Sequence, residues 1–393
     1  MSSPAPDDLR SWLTATLLPG WIARAFDPAR PGFVEYLGPD GTPEISDLRT
    51  TLVTARLTYV FSHAHLLGVP GALAAARHGF TFLTGACRGA DGRFVHSCTE
   101  RGEIVDGKTD FYDLAFVLFA LGWFAKATGE TDVLAIAGEV MDFLDGELAD
   151  PAGGFREDTL GTQPRRQNPH MHLLEACHAL AAVSHHPRWL TTADRLVQLM
   201  RERMLDGNGT LGEFFSEDWA AFPGSRGLIR EPGHHFEWTW LLHHHERLTG
   251  SAEARETARK LHAFGQRQVD ATASSLRLVV NEVDPAGRVL NGAALLWPQT
   301  EYLKALVARI EFEGDADAAA RLDQHLRLMF RHFVDAKSGV WVNQLDDRGR
   351  PISERVPVRV LYHLVLALAE VCRVTKGDAA FQRPSPATAP NPD

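Results

Sequence analysis

The chain has 393 residues, with 45% apolar and 23% charged residues and a net charge of −10. This is an ordinary composition for a globular protein with a real core, and without any Lys/Arg block the acidic balance argues against a nucleic-acid or anionic-membrane surface. Cys87, Cys98, Cys177 and Cys372 show no CxxC spacing, which argues against zinc ribbons and disulfide frameworks and suits a reducing compartment.

The first residues, Met1 to Asp8, lack the basic and apolar regions of a signal peptide, so a cytoplasmic protein is expected. No apolar run approaches the roughly 20 residues of a membrane span. Helical periodicity then dominates, predicting helices at about 8–26, 47–68, 70–85, 110–128, 131–148, 169–184, 187–204, 234–249, 252–268, 297–312, 315–334 and 358–375. Gly-rich segments after alternate helices, such as Asp91–Val95, Gly153–Glu157, Gly209–Phe215 and Gly339–Asn343, read as small β-hairpins or extended loops.

The segments from Gly92 to Gly129 and from Gly339 to Gly377 repeat one pattern. Each runs Gly-x-aromatic-Val, an acidic-Arg-Gly turn, then a helix carrying Tyr112-Asp113 or Tyr362-His363. A period near 60 residues and about twelve helices suggest six helical hairpins closed into an all-α (α/α)6 barrel, with short β-hairpin or loop insertions at the rim. An open solenoid is the other architecture the repeat allows. Residues 1–376 are expected to form one barrel domain, and the Pro/Ala-rich stretch 377–393 a disordered tail.

Several polar residues fall at the starts of these helices. Arg56 lies in the apolar run Thr54–Phe61, where it needs a buried partner, either a structural carboxylate or a ligand oxygen. In Asn168-Pro169-His170-Met171-His172, Asn168 is placed as N-cap with Pro169 at the first helical position, and His172 shares its face. His170 and His172 point apart on a helix, and no HExxH pattern occurs, so no metal site is expected. In Pro232-Gly233-His234-His235-Phe236-Glu237-Trp238, the Pro-Gly pair marks a helix start. His234, Glu237 and Trp238 then share one face, while His235 falls off it and reads as structural. A carboxylate, an imidazole and a flat aromatic at a helix mouth suit an uncharged polyol. His243-His244-His245 is expected to be a solvated face late in that helix. In Leu296-Trp297-Pro298-Gln299-Thr300-Glu301, Trp297 can stack on a sugar, and Gln299 or Glu301 can bond its hydroxyls. His363 occupies the repeat position of Asp113, which suggests a shared inward surface.

Together the motifs T-A-R-L-T-Y-V-F-S (54–62), N-P-H-M-H-L-L-E-A (168–176), P-G-H-H-F-E-W (232–238), L-W-P-Q-T-E (296–301) and L-Y-H-L (361–364) resemble the N-acylglucosamine 2-epimerase superfamily over about residues 10–375. The resemblance implies the (α/α)6 barrel, with His234 and His363 as acid/base catalysts and neither metal nor nicotinamide. It carries the site over to Arg56, Asn168, His172 and Glu237. The chemistry implied is proton removal beside a sugar carbonyl. Histidine titrates near neutral pH and suits ring opening and enediolate formation; Arg56, with His172 or Asn168, would hold the enediolate oxygen, and Glu237 would orient His234.

The 111–120 and 168–176 segments look most like mannose isomerases, so the expected reaction is D-mannose to D-fructose, with D-lyxose to D-xylulose as a further substrate pair. A sugar 2-epimerase is the alternative, as is a sulfosugar isomerase using Arg166, Arg226 or Arg230. The expected partner is a monosaccharide, the expected assembly a monomer or homodimer, and residues 207–232 are a candidate lid.

Overall fold

Burial alternates along the chain. In Thr51–Leu66 every residue from Thr51 to Ala64 is buried, whereas in the next helix, Ala72–Gly85, burial is confined to Ala72, Ala75, Ala76, Gly79, Phe82 and Leu83. A helix covered on all sides lies among other elements, and one with a single apolar stripe has its other face in solvent. The pattern recurs in all twelve helical rods of the computed structural model, which describes residue 5 and residues 7–271 and 276–376. The tail expected at 377–393 lies outside the described residues.

The inner rods are α2 (Thr51–Leu66), α4 (Phe111–Thr128), α6 (Gln167–Ala181), α8 (Pro232–Thr249), α10 (Leu296–Glu313) and α12 (358–376). Each packs on the next, and α12 packs back on α2, so the ring closes as an (α/α)6 barrel. The outer rods are α3 (Ala72–Gly85), α5 (133–148), α7 (188–204), α9 (Ala252–Ala271) and α11 (Ala316–His332), each beside the inner rod before it in sequence. The sixth outer position is filled by α1 (9–25), which packs on α12 and joins the two ends of the chain. One continuous apolar cluster draws on all twelve rods. Rod α4 is long and apolar enough to cross a membrane by length and composition alone, contrary to the sequence expectation, but it is 72% buried inside the ring.

A segment of loop and short strand leads into each inner rod. These six lead-ins pair around the ring: Thr50 with Ser97, Asp110 with Asp158, Arg165 with Phe215, Arg230 with Val283, Ala294 with Leu345, and Pro357 with Tyr36, all antiparallel. A belt of strand pairs therefore gathers the inner N-termini at one mouth. The small hairpins expected from the Gly-rich segments are present as bridges such as Arg88–Phe94, Ala149–Phe155 and Leu205–Leu211.

One clamp recurs where lead-in meets rod. His170 Nδ1 donates to the Arg166 carbonyl (3.1 Å), and its Nε2 accepts from the Phe155 amide (3.0 Å). His235 repeats this with the Glu231 carbonyl (2.9 Å) and the Leu211 amide (3.0 Å). Gln299 does the same with the Leu295 carbonyl and the Val279 amide, both at 2.9 Å. Gln299 is thus a structural clamp rather than the hydroxyl ligand expected of it.

Candidate active site

The belted mouth opens into a cavity of about 280 Å³ whose lining includes Arg56, Tyr112, Asn168, His172, His234, Glu237, Trp297 and His363. Every inner rod therefore contributes a side chain from its first turns. Gly233 shapes the wall, because a Cβ there would come within 2.7 Å of the Trp297 ring. With glycine in place, Trp297 lies between the two histidines, its ring centroid 4.8 Å from His234 and 5.8 Å from His363.

His234 is not held by Glu237, as spacing had suggested. Its Nδ1 donates to Glu213 Oε2 (2.9 Å) and lies 3.2 Å from Glu231 Oε2. Both carboxylates come from the lead-in rather than the rod. Burial opposes a charge on His234, but Glu213, Glu231 and Glu237 outweigh it and raise the imidazole to about 10. His234 is a cation at neutral pH. Burial lifts Glu231 to about 8, while His234 and Gln167 keep Glu213 below the usual carboxylate value against burial.

Trp238, expected in the cavity, is fully buried behind it. Its indole donates to Gln167 (2.7 Å), and Gln167 donates to Glu213 (2.9 Å). It supports the carboxylate that charges His234 and does not line the cavity.

His363 has the opposite environment. Burial, then the cations Arg56 and Lys304 and the histidines His172 and His234, push it well below the ordinary histidine value. It is neutral, with Nδ1 2.8 Å from Glu301 Oε1. Glu301 is fully buried and touches Lys304 Nζ at 2.7 Å, so it positions His363 instead of meeting substrate as expected. Burial and the neighbouring Glu237 raise Glu301 well above the usual carboxylate value, against Lys304. Lys304 stays charged because Glu301, Glu237 and Glu175 outweigh its burial.

His172 donates from Nδ1 to Glu175 (3.2 Å) and is lowered by burial, so it is neutral. Its other ring nitrogen is then an acceptor, not the donor expected. Arg56 is held by the Tyr112 hydroxyl (2.7 Å) and the Arg359 carbonyl (3.2 Å), over the Phe116 ring at 4.0 Å. Its Nε, Asn168 Oδ1 and both oxygens of Glu237 are buried without a hydrogen bond. Asn168 is not the N-cap, because the helix begins at Gln167. These groups form an unsatisfied polar lining that a polyhydroxy ligand would complete.

Other expectations differ. His243, His244 and His245 are buried, not solvated, since α8 is an inner rod; His245 Nε2 lies 3.1 Å from Asp194. Asp113 bonds His96 (2.7 Å) away from the cavity. Arg166 lines the cavity but is paired with Glu157 at 2.6 Å, Arg230 is buried on Thr210 and Asp206, and Arg226 is exposed elsewhere. In the 207–232 segment Trp219 is buried and bonds the Gly153 carbonyl (3.0 Å), so its middle is pinned to the barrel.

Among the described residues, three groups bring ligand atoms within 4.8 Å of one another: His172/Glu175/Glu237, Glu213/Glu231/His234 and Glu237/Glu301/His363. In the last, the Lys304 ammonium already occupies the cation position, 2.7 Å from Glu301 and 3.7 Å from Glu237. In the second, protonated His234 supplies the positive charge.

The sequence profile of the N-acylglucosamine 2-epimerase (GlcNAc 2-epimerase) family matches residues 32–367. The chain belongs to this family. A relative from Rhizobium meliloti (strain 1021), named mannose-6-phosphate isomerase, is 33% identical over 380 residues, covering 93% of this chain and 96% of that one. The D-mannose isomerase of Thermobifida fusca is 29% identical over 371 residues, covering 86% and 87%. A crystal structure of a D-mannose isomerase superposes with a TM-score of 0.85 at 20% identity, over 94% of this chain and 99% of that one, which shows the shared fold. The protein is an enzyme, an isomerase of the sugar isomerase and epimerase class.

Glu213, Glu231, Glu175 and Lys304 were missed as site residues. Glu231, three residues before His234, and Lys304, three after Glu301 inside an apolar run, each left a spacing signal. Glu213 left none, since strand pairing of two lead-ins brings it to the site.

Proposed function

We propose that the protein interconverts D-mannose and D-fructose through a cis-enediolate, with His234 as acid and His363 as base. The observation that carries this reading is one residue type driven in opposite directions on two inner rods that share Trp297. Acid and base roles follow when environments separate the pKa values of paired groups. His234, protonated, gives a proton to the ring oxygen while the C1 hydroxyl gives its proton to the Glu237 carboxylate, so the bond between C1 and the ring oxygen breaks and the open-chain aldehyde forms. Neutral His363 takes the C2 proton, and Arg56 holds the enediolate oxygen. Passage of the O2 proton to O1 and return of the abstracted proton to C1 on the same face give the ketose. Glu237, Asn168 and His172 accept from sugar hydroxyls, and Trp297 packs on the sugar face. The relatives named D-mannose isomerase support this substrate.

D-mannose 6-phosphate is the second reading. It is favoured by the relative of that name and by Arg166 and Arg359 on the cavity wall, the latter exposed.

The test is NMR of D-mannose in D2O with a chelator present. Fructose as first product, deuterated at C1 to the extent that the proton exchanges, supports the reading. Glucose as first product would instead make the enzyme a 2-epimerase. Turnover of the 6-phosphate alone would select the second reading, and loss of activity with chelator would overturn metal-free histidine chemistry.

A further inference from the structure

A second cavity, of about 100 Å³, lies at the opposite end of the barrel, among the C-terminal turns of the inner rods. Its wall is apolar along Phe119, Trp123, Ala179, Trp240, Leu241 and Leu366, with Lys126, His178 and His244 also on it and Ala182 and Arg247 at its solvent edge. Glu175 also lines it, and this same carboxylate reaches the first site. Glu175 Oε2 accepts from His172 (3.2 Å) and from the Tyr362 hydroxyl, whereas Oε1 is buried without a hydrogen bond. His172 and Lys304 keep the carboxyl below its usual range despite burial, so Oε1 is a buried, charged acceptor with no hydrogen bond. An unmade hydrogen bond to such a group is costly, and the group discriminates strongly in favour of a donor.

We infer that this distal cavity is a second ligand site for a small, flat, apolar molecule carrying one O–H or N–H donor, a phenol or aromatic amine, and that its occupancy is felt at His172 through Glu175. The apolar walls take the ring; at about 100 Å³ the cavity is smaller than the roughly 150 Å³ that encloses benzene, so one edge of the ring projects through the opening beside Ala182 and Arg247. The donor bonds Oε1, which draws charge from Oε2 and weakens its hold on the His172 ring. The mouth cavity lies on the other side of that ring, so the two ligands never meet.

Phenol and benzene are the probes, titrated into the full-length enzyme by calorimetry and ligand-observed NMR. Phenol is expected to bind at least roughly tenfold more tightly than benzene, the difference one hydrogen bond to a charged acceptor makes. Ala179→Trp, which fills the distal wall and touches no group of the mouth, is expected to abolish phenol binding while leaving isomerase activity unchanged. Phenol is also expected to shift the His172 ring resonance, assigned by its absence in His172→Asn, in the wild type but not in Ala179→Trp. Equal affinity for phenol and benzene, or phenol binding that survives Ala179→Trp, overturns the site. Binding with no shift at His172 overturns the coupling. The binding and resonance measurements need no turnover, and the activity check on Ala179→Trp can use whichever sugar the enzyme turns over, so the site is judged apart from the mannose reading.

Discussion

His234 and His363 carry the same side chain, and their partners make one an acid and the other a base. Glu213 is the group to test first, because it accepts from His234 Nδ1 and touches no cavity wall. Glu213→Gln removes the leading charge that holds His234 near 10. The acid form is lost as pH rises through that value, so the variant's alkaline limb of kcat/KM should fall at least about one pH unit lower. A pH–rate profile in which that limb does not move removes His234 from the acid role. On the acidic side the base form needs Nδ1–H of His363 directed at an ionised Glu301. Burial raises Glu301, so this limb belongs to the Glu301–His363 pair. His363→Asn should cost about 10²–10⁴-fold in kcat, the usual contribution of a positioned base, with the fold intact by circular dichroism. His234 was legible from helical spacing and His363 from its place in the repeat, but their partners were not. An i, i+3 relation says that Glu237 shares a face with His234; it does not say which side of the barrel axis each side chain takes. Glu237 turns toward His172 and Lys304, and a loop carboxylate fills its expected place.

At the scale of elements, period and turn chemistry gave all twelve rods, because most inner helices are apolar around much of their circumference, the histidine-rich α8 apart, and each outer one shows a stripe. Starts were less legible. Rods α6 and α8 begin two residues before their expected positions, at Gln167 and Pro232, because paired lead-ins and the histidine clamps fix the chain there. The histidine run at 243–245 was misplaced for a related reason, since polarity along one helix does not reveal that neighbours cover it on every side. The closing contact is the element whose loss should matter most. Rod α1 joins α11 and the following turn through Trp12, which meets Phe330 edge-on at 5.0 Å, and Trp21, which stacks on Trp341 at 4.5 Å and donates to the Gly339 carbonyl at 2.9 Å. Trp21→Ala should cost about 3–5 kcal/mol in chemical denaturation, as for other fully buried large aromatics. A loss below about 1 kcal/mol would mean that α1 is not needed to close the ring.

For the whole molecule, the lead-in belt makes stability depend on histidines that must stay neutral. His170 and His235 each donate from one ring nitrogen and accept with the other, which only the neutral ring can do. Burial first, with Arg165 and Arg166 near His170 and Arg230 and His234 near His235, lowers them to about 3 and about 4. Buried His262 and His325 are each lowered to about 3. In the unfolded chain each would bind a proton near the ordinary 6.5, so the stability they contribute is present above pH 6.5 and is lost as pH falls from there toward the folded values. Each costs up to about 1.4 kcal/mol per pH unit in that window, so unfolding should become steeply pH-dependent between about 6 and 4. The third clamp shows how to remove the effect, because Gln299 makes the same two bonds with a side chain that does not titrate. The double variant His170→Gln/His235→Gln should therefore keep its stability at pH 7.5 within about 1–2 kcal/mol and flatten the acid slope by about two protons. Urea denaturation at a series of pH values reads this directly. An unchanged slope would place the acid sensitivity elsewhere, and collapse at pH 7.5 would mean that the clamps need the imidazole ring itself and not only its two hydrogen bonds.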